Sequence, residues 1–176
     1  MHAKRRLALA GLFFAIGIVI VLAWANWPTS PLPEKTIVDR IVVEKSRRAL
    51  TLFASTKPLK TYKVSLGRAP VGSKEKQGDM KTPEGLYRVV AHKPGSSFHR
   101  ALRISYPEER DLQRARAAGV NPGSDIMIHG VRNGLGLFGR LHRNVDWTAG
   151  CIALTNSEID QIYTAVADGT VVEIRP

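Results

Sequence analysis

The first 27 residues are set apart from the rest of the chain by an unbroken apolar run. The run from Leu7 to Trp27 contains no charged residue and follows the basic stretch Lys4–Arg6. About 20 apolar residues let a helix cross the hydrocarbon core, and a basic flank stays in the cytoplasm. Residues 1–27 are therefore expected to form a membrane anchor. The small-x-small triplet Ala23–Ala25 leaves a cleaved signal peptide as the alternative. Both interpretations export the remainder of the chain.

Residues 36–176 show short runs of alternating or β-branched positions, which predict a mainly β domain. A linker over residues 28–35, stiffened by two prolines, precedes it. The runs that predict strands are Thr36–Glu44, Ala49–Phe53, Lys60–Leu66, Leu86–Ala91, Ala101–Tyr106, Ile126–Ile128 and Thr170–Ile174. About seven short strands around a single core is the expectation.

Two segments have helical patterns. Glu108–Ala118 follows a proline and ends before Gly119, a common residue just past a helix end. The second helix begins at Thr155, with Glu158 at capping-box spacing, and is expected to stop near Gly169. Residues 68–82 lack any apolar period, so a long loop is predicted there. The glycine-rich stretch 134–139 is also predicted to be a flexible loop.

Composition narrows the functional classes. The net charge is +11, which suits an anionic partner. For an exported chain that partner is the cell envelope rather than nucleic acid, although a basic surface can also serve solubility alone. The single cysteine excludes an internal disulfide framework and a cysteine-rich zinc site. No metal or organic cofactor is expected.

Candidate chemistry lies in the stretch 125–156. An apolar strand delivers His129 at its end, and Gly150 precedes Cys151 at a turn into another apolar segment. A thiolate is the nucleophilic form of cysteine, and a histidine held by a backbone acceptor can move its proton. A tight glycine turn also frees backbone N–H groups for an oxyanion. An acyl-transfer site is therefore predicted.

Other interpretations of these residues remain open from spacing alone. A lone cysteine is often a small buried hydrophobe, and a lone histidine is often a satisfied polar residue. A metal site from His129, His142 and Cys151 lacks a clear fourth ligand. A redox thiol is disfavoured because no second cysteine is present to resolve it. An unpaired cysteine in an exported protein, however, indicates a reactive thiol.

The chain resembles a known family, the L,D-transpeptidase catalytic domain (YkuD-like), in a branch with the motif D-W-T-x-G-C. The resemblance rests on Ile128–Gly130, the glycine-rich loop, Thr148–Ile152 and the upstream K-T-P-E-G motif at Lys81–Gly85. It extends over roughly Ile37–Ile174. It implies a β-sandwich-like domain with one or two short helices.

The resemblance also implies residue roles. Cys151 matches the nucleophile and His129 the general base and acid. Gly130 matches the residue whose carbonyl orients the histidine, and Gly150 matches a backbone donor of the oxyanion hole, together with the Cys151 N–H. The implied partner is a peptidoglycan stem peptide in the bacterial cell wall.

One departure from the family motif affects these expectations. The usual S/T-H-G-C reads Thr148-Ala149-Gly150-Cys151 here, so the second histidine is missing. His142 is a candidate to replace it, and Thr148, His142 and Trp147 are candidate substrate contacts. Trp147 is alternatively a brace for the loop. His99 is a further candidate for the rim of the cleft.

The resemblance implies a peptidoglycan L,D-transpeptidase that forms an acyl-enzyme with release of D-alanine. The acceptor would be an amine, giving a 3→3 cross-link or lipoprotein attachment, or water, giving a carboxypeptidase or hydrolase. A non-catalytic peptidoglycan-binding module is the alternative from another class. The expected setting is a monomer in the cell envelope, either anchored once in the inner membrane and facing the periplasm or secreted to the periplasm after cleavage.

Overall fold

The computed structural model describes residues 2–33 and 35–176, with side chains of the N-terminal helix from Leu9 onward. The basic side chains of Lys4–Arg6 and residue Glu34 of the linker lie outside the described part. Helix α1 spans His2–Ala25. Within the described residues, no helix combines the length and the hydropathy that a membrane crossing requires, so the predicted transmembrane helix is not supported.

Eight strands form the body of residues 36–176, which confirms the mainly β class. Their bounds are β1 Val38–Glu44, β2 Ala49–Ala54, β3 Lys57–Lys63, β4 Gly85–Ser96, β5 His99–Ile104, β6 Met127–His129, β7 Ile152–Ala153 and β8 Val166–Arg175. They lie in one sheet with the order β3-β2-β1-β8-β4-β5-β6-β7. Neighbours are antiparallel except for the parallel pairs β1/β8 and β6/β7.

Strand β4 pairs with β8 along its first residues and with β5 along the rest, and the sheet curls at this change of partner. Its first residues, Gly85–Arg88, pair with β8, and the residues from Val89 onward pair with β5 across two register shifts. Beyond β3, Ser65 forms a β-bridge with Ala153, and Gly67 forms one with Thr148. Residues 64–67 therefore leave the β2 edge to meet β7, which is why β3 ends three residues before the predicted boundary at Leu66.

Two α-helices are inserted between strands of the sheet, close to their predicted positions. Helix α2 spans Glu109–Ala117 and α3 spans Asn156–Ala165. The predicted capping box at the start of α3 is present, since Thr155 and Glu158 bond each other's backbone N–H groups. The predicted stop at Gly169 is wrong, because β8 begins directly after α3 and runs through that glycine.

A 3₁₀ segment covers Gly136–Asn144, where a flexible glycine-rich loop is predicted. It is kinked at Gly139, and we call it the cap. The core beneath it includes Ile128 on β6, Ile152 on β7 and Ile159 on α3, each with no exposed surface. Burying such a side chain contributes about 1.5–3 kcal/mol. The strands that carry the candidate site are thus fixed by the best-buried part of the chain.

Candidate active site

A cavity of about 940 Å³ lies between the end of β6, the turn before β7 and the cap. The structure brings five of the predicted site residues to its wall: His129, His142, Trp147, Thr148 and Cys151. Gly130 and Gly150 lie directly behind this wall as chain neighbours of His129 and Cys151. The cavity is otherwise lined largely by apolar side chains, among them Phe98, Met127, Leu135, Phe138, Leu141 and Val145.

His129 is held on three sides. Its backbone pairs with Ala101 on β5 and Ala153 on β7, and only 3% of the residue is exposed. Its Nδ1 lies 2.7 Å from the Gly130 carbonyl oxygen. A carbonyl can only accept a hydrogen bond, so Nδ1 carries the proton and Nε2 has the free lone pair. Burial lowers the pKa of His129 to about 4, which leaves the imidazole neutral at pH 7.

Two aromatic side chains restrict the imidazole further. The Phe98 ring centroid lies 4.5 Å from that of His129, and Trp147 meets the same ring edge-on at 5.8 Å. Phe98 and Trp147 also stack on each other at 5.9 Å. Phe98 was missed as a site residue in the sequence, since nothing in its local pattern distinguishes it from a core aromatic.

Cys151 follows the turn that leads into β7 and is half-buried. Its thiol donates to the carbonyl oxygen of Asp125 at 3.7 Å. Burial raises the pKa of the Cys151 thiol, and the nearby Asp125 carboxylate raises it further. Both shifts favour the uncharged forms, a thiol at Cys151 and a neutral imidazole at His129, on the wall of the same cavity.

The Gly150–Cys151 turn is pinned by Thr148. The Thr148 hydroxyl accepts from the Gly150 N–H at 3.1 Å and donates to the Cys151 carbonyl at 2.7 Å. Gly150 has φ 134°, and a β-carbon there would lie 2.6 Å from the Lys81 carbonyl oxygen. The Gly150 N–H is engaged by Thr148 in this geometry, so its role as an oxyanion donor stays a prediction. The Cys151 N–H is the other predicted donor.

His142 is turned toward Trp147. The Trp147 indole N–H donates to His142 Nδ1 at 3.2 Å, and the Ser65 hydroxyl donates to the His142 carbonyl at 3.1 Å. Burial, with Arg143 nearby, lowers the pKa of His142 to about 4. Within the described part of the chain, no hydrogen bond joins His142 to Cys151 or His129, so its replacement of the missing family histidine stays a prediction.

The cap reaches the cavity from the side of α1. Arg140 donates to the carbonyl oxygens of Trp24 at 3.2 Å and Trp27 at 2.7 Å. The Asn26 amide donates to the Leu137 carbonyl at 2.7 Å. At Gly139, with φ 43°, a β-carbon would lie 2.3 Å from the Ala25 carbonyl oxygen. The end of α1 and the roof of the cavity are therefore in direct contact.

Cationic side chains outnumber acidic ones among the described residues of the cavity wall. Arg68, Lys93 and Arg132 contribute cations, and Asp125 is the one acidic residue among the described residues that line it. His99, the candidate for the rim, is instead bonded to Asp160 on α3 at 2.9 Å. No group of three or more potential metal ligands occurs among the described residues, so the alternative of a metal site has no support.

Comparison with known proteins agrees with this geometry. Residues 38–174 match the model of the YkuD family, described as the L,D-transpeptidase catalytic domain. A protein of Escherichia coli (strain K12), YafK, named as a candidate L,D-transpeptidase, is 32% identical over 137 residues, which cover 74% of this chain and 48% of that protein. The chain thus spans about half the length of the curated relatives it matches.

Solved structures share the fold. The helical cell shape determining protein Pgp2 from Campylobacter jejuni superposes with a TM-score of 0.62 and 25% identity, covering 89% of this chain and 54% of that one. An L,D-transpeptidase from Mycobacterium smegmatis gives a TM-score of 0.50 at 16% identity, covering 78% and 58%. The resemblance drawn from the sequence motifs is confirmed, and the chain belongs to the YkuD family of L,D-transpeptidase catalytic domains.

Proposed function

We propose that this chain is a cysteine-dependent acyltransferase that acts on the tetrapeptide stems of peptidoglycan. Cys151 attacks the carbonyl between the third and fourth stem residues, releases D-alanine and holds the remaining acyl group as a thioester. One observation carries the proposal. A thiol and a neutral imidazole whose Nδ1 is fixed on the Gly130 carbonyl line the same cavity.

The two pKa shifts define how the proton moves. Because the Cys151 pKa is raised and the His129 pKa lowered, little thiolate forms before substrate binds. The thiol proton passes to His129 Nε2 as the sulfur–carbon bond forms, and the imidazolium then protonates the leaving amine of D-alanine. The bond from Nδ1–H to Gly130 stabilises the imidazolium during the step.

The developing oxyanion needs backbone donors. Thr148 already binds the Gly150 N–H, so the Cys151 N–H is the donor we assign to this role. Thr148 acts through the turn: by holding Gly150 and Cys151 together, it fixes the direction in which that N–H points. A rotation of the Thr148 hydroxyl upon substrate binding would free the second donor.

The charges of the cavity suit an anionic donor peptide. Stem peptides carry free carboxylates, and Arg68 and Arg132 lie on the wall that would receive them. Phe98 and Trp147 offer an apolar surface beside the imidazole. Trp147 and His142 are proposed as contacts of the donor peptide on the cap side, where they bond each other.

The acceptor decides the product. An amine from a second stem gives a 3→3 cross-link, an amine of a lipoprotein gives attachment, and water gives a tripeptide. The proposed setting is the cell envelope. Residues 1–27 act there as an anchor or a cleaved signal, residues 28–35 as the linker and residues 36–176 as a monomeric catalytic domain.

Purified tetrapeptide muropeptides test the proposal. The full chain and its Cys151→Ala variant are incubated with them, and the products are identified by mass spectrometry. Cross-linked dimers with loss of D-alanine in the wild type alone would establish transpeptidation, and tripeptide alone would make water the acceptor. The absence of turnover in both, with binding to muropeptides retained, would instead favour a non-catalytic peptidoglycan-binding module.

A further inference from the structure

Asp125 carries the one carboxylate on the cavity wall in the part of the chain that the structure describes, and it has no task in the acylation described above. Asp125 lines the same cavity as the three cationic residues, and its backbone carbonyl accepts a hydrogen bond from the Cys151 thiol at 3.7 Å. Its side chain is 58% exposed and has Arg103 at 3.9 Å, the outer limit of an ion pair. The Asp125 backbone therefore lies beside the nucleophile, and its carboxylate is open to solvent and held only by long contacts to Arg103 and, at 3.5 Å, to the Ser124 hydroxyl.

The backbone holds Asp125 firmly in this place. Its φ is 58°, in the left-handed region that few residues other than glycine adopt, although aspartate tolerates it better than most. The next residue, Ile126, is 3% exposed and its carbonyl accepts from the Ile104 N–H at 3.1 Å. A loop residue anchored so close to a buried neighbour has little freedom to turn away from Cys151.

The charge of Asp125 opposes the first half of the reaction. A carboxylate near a thiol disfavours the thiolate, and Asp125 does raise the pKa of Cys151. It also repels the carboxylates of an incoming donor peptide. After acylation the thiol has become a thioester and the donor is already in place, so neither effect operates and the carboxylate can attract a cation. A protonated primary amine is such a cation.

We propose that Asp125 binds the protonated primary amine of the acyl acceptor and selects amines over water in the second half-reaction. This inference rests on the proposed function. The bound ammonium gives one proton to solvent and the free amine attacks the thioester carbonyl. The new nitrogen–carbon bond forms, His129 Nε2 takes the second nitrogen proton, and the carbon–sulfur bond breaks. His129 then returns its proton to sulfur, which restores the thiol.

The Asp125→Asn variant of the full chain tests the inference, since it keeps the side-chain shape and removes the charge. Donor tetrapeptide is held constant while n-butylamine, a cation at pH 7, or hydroxylamine, uncharged at pH 7, is varied as acceptor. An exposed ion pair is worth up to about 1 kcal/mol, so the KM for butylamine should rise roughly fivefold. The KM for hydroxylamine should not change.

The first half-reaction should respond in the opposite direction. Release of D-alanine without added amine should be equal or faster in Asp125→Asn, because losing the carboxylate lowers the thiol pKa. A purely structural defect would slow both half-reactions and raise both KM values alike. Glu109→Gln, an exposed carboxylate change on α2, is the matched control and should alter neither half-reaction.

Each result has one meaning. A raised KM for butylamine that fades at high salt, with D-alanine release maintained, supports the inference. An unchanged KM for butylamine overturns it, and so does a wild type that uses water but no amine; in both cases the acylation chemistry stands. A wild type that releases no D-alanine would instead overturn the proposed function.

Discussion

The floor and the cap of the cavity are built in opposite ways. The floor consists of β6, β7 and the Gly150 turn, where His129 is 3% exposed and Thr148 is 4% exposed. The cap, Gly136–Asn144, is a kinked 3₁₀ segment whose Leu137 side chain is 63% exposed. The floor is held by strand pairing, and the cap by side-chain bonds to the end of α1, to Ser65 and to Glu158 on α3.

This difference separates two tasks. Groups that transfer a proton must keep their geometry within a fraction of an ångström, which packed strands provide. A roof over the cavity must let a peptide enter and leave, which suits a segment with few buried contacts. We therefore expect substitutions in the floor to affect the chemical step and substitutions in the cap to affect substrate binding.

The largest effect is expected at the imidazole. His129→Gln keeps a donor for the Gly130 carbonyl but removes the lone pair that accepts the thiol proton. General acid–base catalysis contributes about 10²–10⁴-fold, and the rate of D-alanine release should fall by that factor. The KM for the tetrapeptide should stay within about threefold. A variant with normal acylation would show that His129 is not the base.

A second variant tests the rigidity of the floor through Gly150. In Gly150→Ala the β-carbon would lie 2.6 Å from a backbone oxygen at a φ that suits glycine. The turn must shift, and a displacement near 1 Å costs about 10²-fold in rate. Gly169→Ala is the control, because Gly169 also has positive φ (88°) but open space around it. The control should lose about 1 kcal/mol of stability and no activity.

Burial of the two histidines predicts an acid-sensitive fold. His129 and His142 have pKa values lowered to about 4, whereas the unfolded chain protonates histidine near pH 6.5. The unfolded state therefore binds more protons between pH 6.5 and 4, and stability falls as the pH is lowered through this range. The loss from His129 reaches about 3 kcal/mol at pH 4.

Denaturant titrations at several pH values measure this slope. His142→Gln removes one of the two groups, so its stability should vary less with pH than that of the wild type. His92→Gln is the control, since His92 lies on β4 away from the cavity and pairs with Asp168. An unchanged slope in His142→Gln would show that folding does not lower the pKa of His142.

The smallest effect is expected where the cap meets α1. Arg140→Ala removes the two hydrogen bonds to the carbonyl oxygens of Trp24 and Trp27. Each is worth about 1 kcal/mol. Residues 136–144 should exchange amide hydrogens faster, and the KM for the tetrapeptide should rise about two- to fivefold with kcat maintained. Arg116→Ala on α2 is the control. A fall in kcat as large as the rise in KM would show that the cap also affects the chemical step, and that cap and floor do not have separate tasks.

The sequence predicts the floor better than the cap because strand patterns and buried positions are local signals. The apolar run before His129 and the glycine before Cys151 indicate the two ends that meet, and Thr155 with Glu158 indicates the start of α3. The sequence does not predict the 3₁₀ form of the cap. Its glycine spacing suggests a loop, and its contacts with α1 join residues more than 100 positions apart.

Other features that the sequence does not reveal also depend on tertiary contacts or on side-chain rotamers. The engaged Gly150 N–H depends on the rotamer of Thr148, and the β3 boundary depends on the bridge between Ser65 and Ala153. His99 has a suitable position in the sequence but lies against Asp160 on α3. The Ser65–Ala153 and His99–Asp160 contacts join residues far apart in the sequence, and the Thr148–Gly150 contact depends on a side-chain rotamer, so no local sequence pattern reveals them.

The central claim is that Cys151 forms a thioester with the stem peptide. Intact-protein mass spectrometry after acid quench tests it most directly, with the full chain and its Cys151→Ser variant incubated with tetrapeptide. The account predicts a wild-type mass increase equal to the tripeptide acyl group, located on Cys151 and removed by hydroxylamine, and no stable adduct in the variant. D-alanine release from the wild type with no adduct on Cys151, or equal release by the variant, would contradict it.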